Sequence, residues 1–293
     1  MLKKISIVGG GEIGKAISFI ASGANIVSSV WDKDPAKSSS SSPEECFKET
    51  EVVFFCVPSS ALRTALTELS PVLPSNIPLI FVSKGLEAES RLSAPELAAE
   101  FVEKERIVFM GGPMIAEEIM EGKGGRAVLG GPRETAILAG QVFTGKNVSA
   151  ETADDAFSVA ILGVLKNVYA MAFGAAEGAK IGDNVKSYLF TKSVSEMNDI
   201  ARALGGKVSV LNTAGIGDFL ATSINPGSNN REAGFGFATG KNPEKPSEGM
   251  ASVFALASKF REKSDSQMGI MSFVLSMVEN KSVSEEDWNK ILK

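Results

Sequence analysis

The stretch Lys4-Ile5-Ser6-Ile7-Val8-Gly9-Gly10-Gly11-Glu12-Ile13-Gly14-Lys15-Ala16-Ile17 decides the fold of the first half of the chain. A β-rich run ends in a glycine turn, and Gly14 to Ala21 then carries a helical pattern, so the turn joins a strand to a helix. Within it, the spacing Gly9-x-Gly11-x-x-Gly14 gives each glycine a task. The first makes a tight turn, the second lets the backbone approach a pyrophosphate, and the third lets the helix pack closely on the strand. Glu12 and Ile13 open that helix, whose N-terminal N–H groups turn their positive end toward phosphates. A plain glycine-rich turn in a flavodoxin-like sheet is the alternative reading of the same residues.

Outward from the turn, Ala24 to Trp31 is a second β-rich run, ending in Trp31-Asp32-Lys33-Asp34. A carboxylate at Asp32 accepts hydrogen bonds from adenosine ribose hydroxyls and repels a 2′-phosphate, so NAD is expected over NADP. Lys33, within reach of a phosphate, keeps NADP open, and Asp34 reads as a solvated helix cap. Ser38 to Ser42 is a polar, low-complexity connection before a helix beginning near Pro43. Glu51 to Val57 is apolar after its first residue, as a strand buried on both faces of a parallel sheet requires.

The alternation continues through Pro58–Leu69, Pro78–Ser83, Pro95–Glu103 and Arg106–Met110, the pattern of βαβ units. After about Ala150, helical patterns take over through Leu292. The expected fold is α/β: an N-terminal Rossmann-type doubly wound parallel sheet over residues 1–150, binding a dinucleotide. A second, all-helical domain over 151–293 is expected to handle the substrate.

Composition narrows the function. A chain of 293 residues suits two domains, and 44% hydrophobic with 22% charged residues is ordinary for a globular protein. The net charge of −5, with no clustered Lys/Arg face, argues against nucleic-acid binding. Two cysteines are too few for a disulfide framework and point to a reducing cytoplasm. The opening Met1-Leu2-Lys3-Lys4 mimics a secretory signal, but Gly9 to Lys15 interrupt its apolar region. The absence of histidine removes the commonest general acid/base and the commonest metal ligand together, so no metal is expected. Any proton transfer falls to Lys, Asp, Glu, Tyr or Cys. A homodimer is the ordinary expectation for such a protein.

Ala156 to Ala176 is nearly apolar and long enough to span a membrane. Lys166 and Asn167 sit at its centre, where a charge is costly in lipid, so a buried central helix is expected and no membrane span. Burial of Lys166 would lower its pKa toward the range where it exchanges a proton near neutrality, and a nearby carboxylate would hold it charged. Asp218, in Ala214-Gly215-Ile216-Gly217-Asp218-Phe219, is the expected partner. A snorkelling lysine and a helix N-cap are the inert alternatives. Tyr188 and Lys192 have the Tyr-x-x-x-Lys spacing of short-chain dehydrogenases, but the glycine turn differs and two domains are expected, so the match reads as coincidence on an amphipathic helix.

These motifs, in their order, resemble the NAD(P)-dependent glycerol-3-phosphate dehydrogenases. The glycine turn is followed by Val57-Pro58-Ser59, by Ser83-Lys84-Gly85-Leu86-Glu87 and by Gly112-Pro113-Met114-Ile115-Ala116-Glu117-Glu118. Then come Gly163-Val164-Leu165-Lys166-Asn167, Gly182-Asp183-Asn184-Val185-Lys186, Gly215-Ile216-Gly217-Asp218 and Ser247-Glu248-Gly249. The resemblance implies hydride transfer between a nicotinamide and C2 of dihydroxyacetone phosphate or glycerol 3-phosphate, feeding glycerophospholipid synthesis. It makes Lys166 the catalytic lysine and Lys84 the lysine that contacts substrate and cofactor. Asp218 and Thr222 would hold the lysine and the substrate. Asn167 and Gly112 would line the same pocket, with Ser228, Asn229 and Asn230 on the substrate. Ala116 and Glu248 would touch the cofactor, along with Gly9, Gly11, Glu12, Ile13, Gly14 and Asp32.

Two positions depart from the family. Its Ser-Arg-Asn-Arg run is Ser228-Asn229-Asn230-Arg231 here, so the arginine expected on the substrate phosphate is Asn229. The serine of the Gly-Pro-Ser turn is Met114. A helix N-terminus capped by Ser228 or Asn229, or Arg231 reaching inward, offers the phosphate another hold. The departures keep open a different small oxo or hydroxy substrate, and also a non-catalytic module that senses the redox state of the dinucleotide.

Overall fold

In the computed structural model, which describes residues 2–145, 147–261 and 269–292, the apolar run Lys4–Val8 forms β1, buried from its second residue on. Val27–Trp31 (β2), Val52–Phe55 (β3), Leu79–Phe81 (β4), Ile107–Gly111 (β5), Gly125–Gly130 (β6) and Val148–Ala153 (β7) complete a seven-stranded sheet, ordered β2-β1-β3-β4-β5-β6-β7. Helices α1 (Glu12–Gly23), α2 (Pro43–Phe47), α3 (Ser59–Leu69), α4 (Ala94–Ala98), α5 (Ala116–Met120) and α6 (Arg133–Gly140) connect the strands. β1 has β2 on one side and β3 on the other, which puts a topological switch point, the usual ligand crevice of such sheets, at its carboxyl end.

The expected fold class holds, with one amendment to the parallel sheet. β5 and β6 pair antiparallel, Phe109 opposite Gly130 and Gly111 opposite Val128, while the other neighbours are parallel. Strands β6 and β7 carry weak sequence signals for a physical reason. β6 begins and ends in glycine, and β7 is half exposed and polar, so neither has the unbroken apolar run of a central strand. The centre does: Val52 to Phe55 are fully buried, and the Phe55 ring stacks on Phe81 at 4.9 Å.

Cys46, on α2, and Cys56, just after β3, are both buried. Burial pushes the Cys56 thiol up to about 12 and raises Cys46 as well. Near pH 8 both stay protonated, and the thiolate is the reactive form. A disulfide reagent at pH 8 is therefore expected to find no thiol in the native protein and two after denaturation. A thiol that reacts rapidly in the native state would contradict this packing.

The chain divides into two compact units, one of Met1–Lys84 with Leu92–Ala160, the other of Gly85–Arg91 with Ile161–Lys293. Helix α7 (Ala156–Gly178) starts in the first and runs on into the second, followed by α8 (Asp183–Ala203), α9 (Asp218–Ile224), α10 (Asn229–Ala238), α11 (Glu248–Arg261), α12 (Gly269–Asn280) and α13 (Glu285–Leu292). Among the described residues, α7 alone is long and apolar enough to cross a membrane, and 83% of its apolar window is buried by protein. Phe219 packs edge-on to Tyr169 and Phe173 and stacks on Phe190 at 5.0 Å. The backbones of α7 and α10 touch: a Cβ on Gly174 would lie 1.8 Å from the Arg231 carbonyl oxygen, and one on Gly234 1.8 Å from that of Met171. The segment Gly85–Arg91 is tied to α11, the Leu86 N–H donating to Ser252 Oγ at 3.0 Å and Arg91 Nη1 to Ser258 Oγ at 2.8 Å.

Candidate active site

The four glycines of the turn differ in what surrounds them. Gly9 has φ +102°, and a Cβ there would lie 2.6 Å from the Cys56 carbonyl oxygen. A Cβ on Gly14 would lie 2.0 Å from the Gly9 carbonyl oxygen, so the start of α1 sits directly on the turn. Gly10 is closed off in the same way by Lys37. At Gly11 a Cβ would meet nothing within 4 Å, and no side chain caps α1 there. Three glycines thus answer to the protein's own backbone, while the fourth opens onto space beside the N–H groups that begin a helix. That cradle fits a dinucleotide's diphosphate. Gly11→Ala is expected to leave the melting temperature unchanged and to weaken dinucleotide affinity about tenfold, whereas Gly14→Ala destabilises the fold. Thermal melts and a dinucleotide fluorescence titration of both variants check this.

Asp32 stands at the end of β2 against this turn. Its Oδ2 accepts the Gly10 N–H at 2.7 Å and its Oδ1 the Asp34 N–H at 2.8 Å. Lys33 pairs with Glu68 at 3.1 Å. Asp34 is a solvated cap: the Ala36 N–H, and then Lys37, hold its carboxyl below the usual range. Elsewhere in this unit, Lys84 Nζ donates to the Gly112 carbonyl at 3.1 Å. Gly112 has φ +92° and no room for a side chain, since a Cβ would lie 2.3 Å from the Arg126 carbonyl oxygen. Met114 is buried in the hydrophobic core, its Sδ against Gly125, which accounts for an apolar residue in place of a hydroxyl. Ala116 is the first residue of α5.

The helical unit gathers the second group. Lys166, 7% exposed in the middle of α7, lies with its Nζ 3.2 Å from Asp218 Oδ1 and donates to Thr222 Oγ1 at 2.7 Å. Asp218 and Thr222 are one turn apart on α9, and the Thr222 hydroxyl lies 3.4 Å from the same carboxylate. A π-helical turn, Thr213–Gly217, leads into α9 and is capped by Asn212, whose Oδ1 accepts the Gly215 N–H at 2.7 Å. Gly215 is required there, because a Cβ would lie 2.1 Å from the Val210 carbonyl oxygen. The lysine is buried and ion-paired, neither snorkelling nor solvated.

Asn167 follows Lys166 on α7 and is held by residues of α10 and α11. Its Oδ1 accepts from Asn230 Nδ2 at 2.9 Å, and Asn230 Oδ1 accepts the Gly249 N–H at 2.8 Å, beside Glu248 at the start of α11. Ser228 caps α10, accepting the Arg231 N–H at 3.4 Å. Asn229 instead lines a hollow of about 420 Å³ with Glu232, Phe235, Lys241 and Lys245. Arg231 is buried and paired with Glu177 and Glu232. Tyr188 and Lys192 form a surface cation–π pair on α8, the ammonium 5.5 Å from the ring centroid. Gly249 stands in the sequence motif Ser247-Glu248-Gly249 without a role of its own; a glycine at the second position of a helix is the signal that marks such a close approach.

A doubly wound sheet with a dinucleotide-shaped glycine turn, joined to a helical unit holding a buried lysine–aspartate pair, defines a two-unit nucleotide-binding α/β protein. The model described as NAD-dependent glycerol-3-phosphate dehydrogenase N-terminus matches residues 38–137 and its C-terminus counterpart residues 155–287, and the chain belongs to that family. A glycerol-3-phosphate dehydrogenase [NAD(P)+] of Acidithiobacillus ferrooxidans is 34% identical over 192 residues, covering 65% of this chain and 56% of the relative. The Azotobacter vinelandii protein of the same name is 29% identical over 261 residues, 80% of this chain and 76% of the relative. The match therefore spans little more than half the length of the first relative. The crystal structure of glycerol-3-phosphate dehydrogenase from Coxiella burnetii superposes with a TM-score of 0.88 at 20% identity, covering 100% of this chain and 99% of that one, which establishes the shared fold.

Proposed function

We propose that this chain is an NAD(P)-dependent oxidoreductase that interconverts dihydroxyacetone phosphate and sn-glycerol 3-phosphate, a small-molecule reaction of the cytoplasm that supplies lipid synthesis. The observation that carries the reading is the buried Lys166 with Asp218 and Thr222 on its ammonium. When bound, the dinucleotide supplies the hydride for C2. Lys166 Nζ gives a proton to the carbonyl oxygen during reduction and takes it back from the hydroxyl in the reverse direction. Asp218 and Thr222 fix the direction of its N–H bonds. Lys84 supplies positive charge that polarises the carbonyl. The first unit binds the dinucleotide through the glycine turn, with Asp32 favouring NAD; the helical unit handles the substrate.

Initial rates with dihydroxyacetone phosphate, comparing NADH with NADPH, test this reading. NADH is expected to be preferred, and no oxidation of either dinucleotide would overturn it. The pocket departure at Asn229 favours a second reading, a related unphosphorylated oxo compound. Asn229→Arg decides between them: an arginine restored to a phosphate site lowers KM for dihydroxyacetone phosphate roughly tenfold, and leaves it unchanged if no phosphate binds there.

A further inference from the structure

We infer that Tyr169 is a positioning residue for Lys166: its ring, tethered through the hydroxyl to Glu196, holds α9 where Asp218 and Thr222 meet the ammonium. Tyr169 is a titratable side chain, 0% exposed, that the proposed reaction does not use. Burial, and then the neighbouring Glu196 carboxylate, raise its pKa well above the usual tyrosine value, so near neutrality it neither gives nor takes a proton. Its place on the helix says what it holds instead. Tyr169 lies three residues after Lys166 on α7, so the two side chains share a face. On α9 they meet neighbouring residues: Lys166 meets the carboxylate of Asp218, and Tyr169 meets the ring of Phe219 edge-on, with centroids 6.5 Å apart.

An edge-on ring contact resists sliding weakly, and the hydroxyl supplies the missing restraint. Tyr169 Oη donates to Glu196 Oε2, on α8, at 2.9 Å. Glu196 is itself fixed, because its Oε1 accepts the Ile270 N–H at 3.0 Å and its Oε2 the Met271 N–H at 3.2 Å, both in the first turn of α12. Such charge-assisted bonds at a helix N-terminus are of the stronger kind. Phe219 is closed in by Phe173, edge-on at 5.5 Å, and by Phe190, stacked at 5.0 Å, so it moves with the ring of Tyr169. A shift of Phe219 displaces its chain neighbour Asp218, whose Oδ1 lies 3.2 Å from Lys166 Nζ. In buried surroundings the attraction of an ion pair depends strongly on that distance. The charged groups around these two side chains are Asp218 from α9, which pairs with Lys166, and Glu196 and Asp199 from α8, which act on Tyr169.

The consequence for catalysis rests on the proposed reaction; the hold on the lysine does not, and it is read without substrate. Tyr169→Phe keeps the ring and removes the tether. With Asp218 less closely placed, the ammonium loses part of what favours it, so Lys166 titrates at lower pH. NMR of the chain carrying 13C-labelled lysine, with the Lys166 signal identified by its absence from Lys166→Arg, is expected to show the midpoint lowered by about half a unit or more. In steady-state kinetics, kcat for dihydroxyacetone phosphate reduction is expected to fall roughly three- to tenfold, its alkaline limb moving down in pH with the midpoint, and KM for NADH to change less than about twofold. Glu196→Ala removes the other end of the tether and is expected to move the midpoint in the same direction; it serves if Tyr169→Phe folds poorly. The double variant is expected to move it no further than Glu196→Ala, because both changes break one bond.

A lower melting temperature with the Lys166 midpoint and the alkaline limb unmoved would reduce Tyr169 to a structural residue and overturn the inference. Fully additive shifts in the double variant would overturn the tether to Glu196. An unmodified chain inert toward dihydroxyacetone phosphate would overturn the reaction and leave the positioning to be decided by the titration.

Discussion

Lys166→Ala is expected to lower kcat for dihydroxyacetone phosphate reduction by about 10²–10⁴-fold, the usual contribution of a positioned acid or base, with NADH affinity nearly unchanged. The dinucleotide turn lies in the first unit and Lys166 in the second, so the two effects separate if the roles are as proposed. The variant also leaves Asp218 buried without its partner, 3% exposed. Stranding a buried charge costs about 3–5 kcal/mol, and a lower melting temperature is expected alongside the lost rate. The double variant Lys166→Ala, Asp218→Asn removes the stranded charge and is expected to regain stability without regaining activity. Lys166→Arg sharpens the point: it keeps a positive charge opposite Asp218 but surrenders no proton near neutrality, so it stays folded and slow. Equal loss of turnover and of NADH affinity in these variants would argue against the role of Lys166. Steady-state kinetics, a dinucleotide titration and a thermal melt on each variant decide the matter.

The second large effect is on stability. Gly174→Ala gains helix propensity, worth about 1 kcal/mol, yet the added Cβ would lie 1.8 Å from the Arg231 carbonyl oxygen, a backbone atom that cannot rotate aside. Gly234 meets the Met171 carbonyl in the same way. Either substitution must push α7 and α10 apart, and a loss of about 3 kcal/mol or more is expected, at or beyond the upper end of ordinary overpacking. Activity falls with it, because α7 carries Lys166 and Asn167 and α10 carries Asn230. Gly140→Ala is the control, since its Cβ would make only an ordinary contact with Leu129 at 3.8 Å. Urea denaturation of the three variants should show two large losses and one near-neutral change. A Gly174→Ala protein as stable as the unmodified chain would mean that the helices do not touch as described.

What could be read from the sequence was whatever left a local or periodic trace. The glycine turn was legible because its strand, turn and helix are contiguous and the spacing prescribes the contacts. Lys166 was legible because a charge in an otherwise apolar helix demands a partner, and a carboxylate just after two glycines, Asp218, supplied a candidate. Strands β6 and β7 lacked the apolar run that marks central strands, and one of their pairings reverses direction. Met114 read as a lost hydroxyl in a pocket; nothing local shows that the residue after a proline turns into the core. The bridge from Asn167 through Asn230 to Gly249 joins residues far apart in sequence by single polar contacts, which carry no periodicity at all.

The most direct test of the central claim is to follow the hydride itself. Dihydroxyacetone phosphate is incubated with the unmodified chain and NADH deuterated at C4 of the nicotinamide, and the product is analysed by mass spectrometry. The account predicts glycerol 3-phosphate bearing one deuterium at C2, formed in step with NADH oxidation and about 10²–10⁴-fold more slowly by Lys166→Ala. Unreacted dihydroxyacetone phosphate with NADH intact, or an undiminished rate in Lys166→Ala, would contradict it.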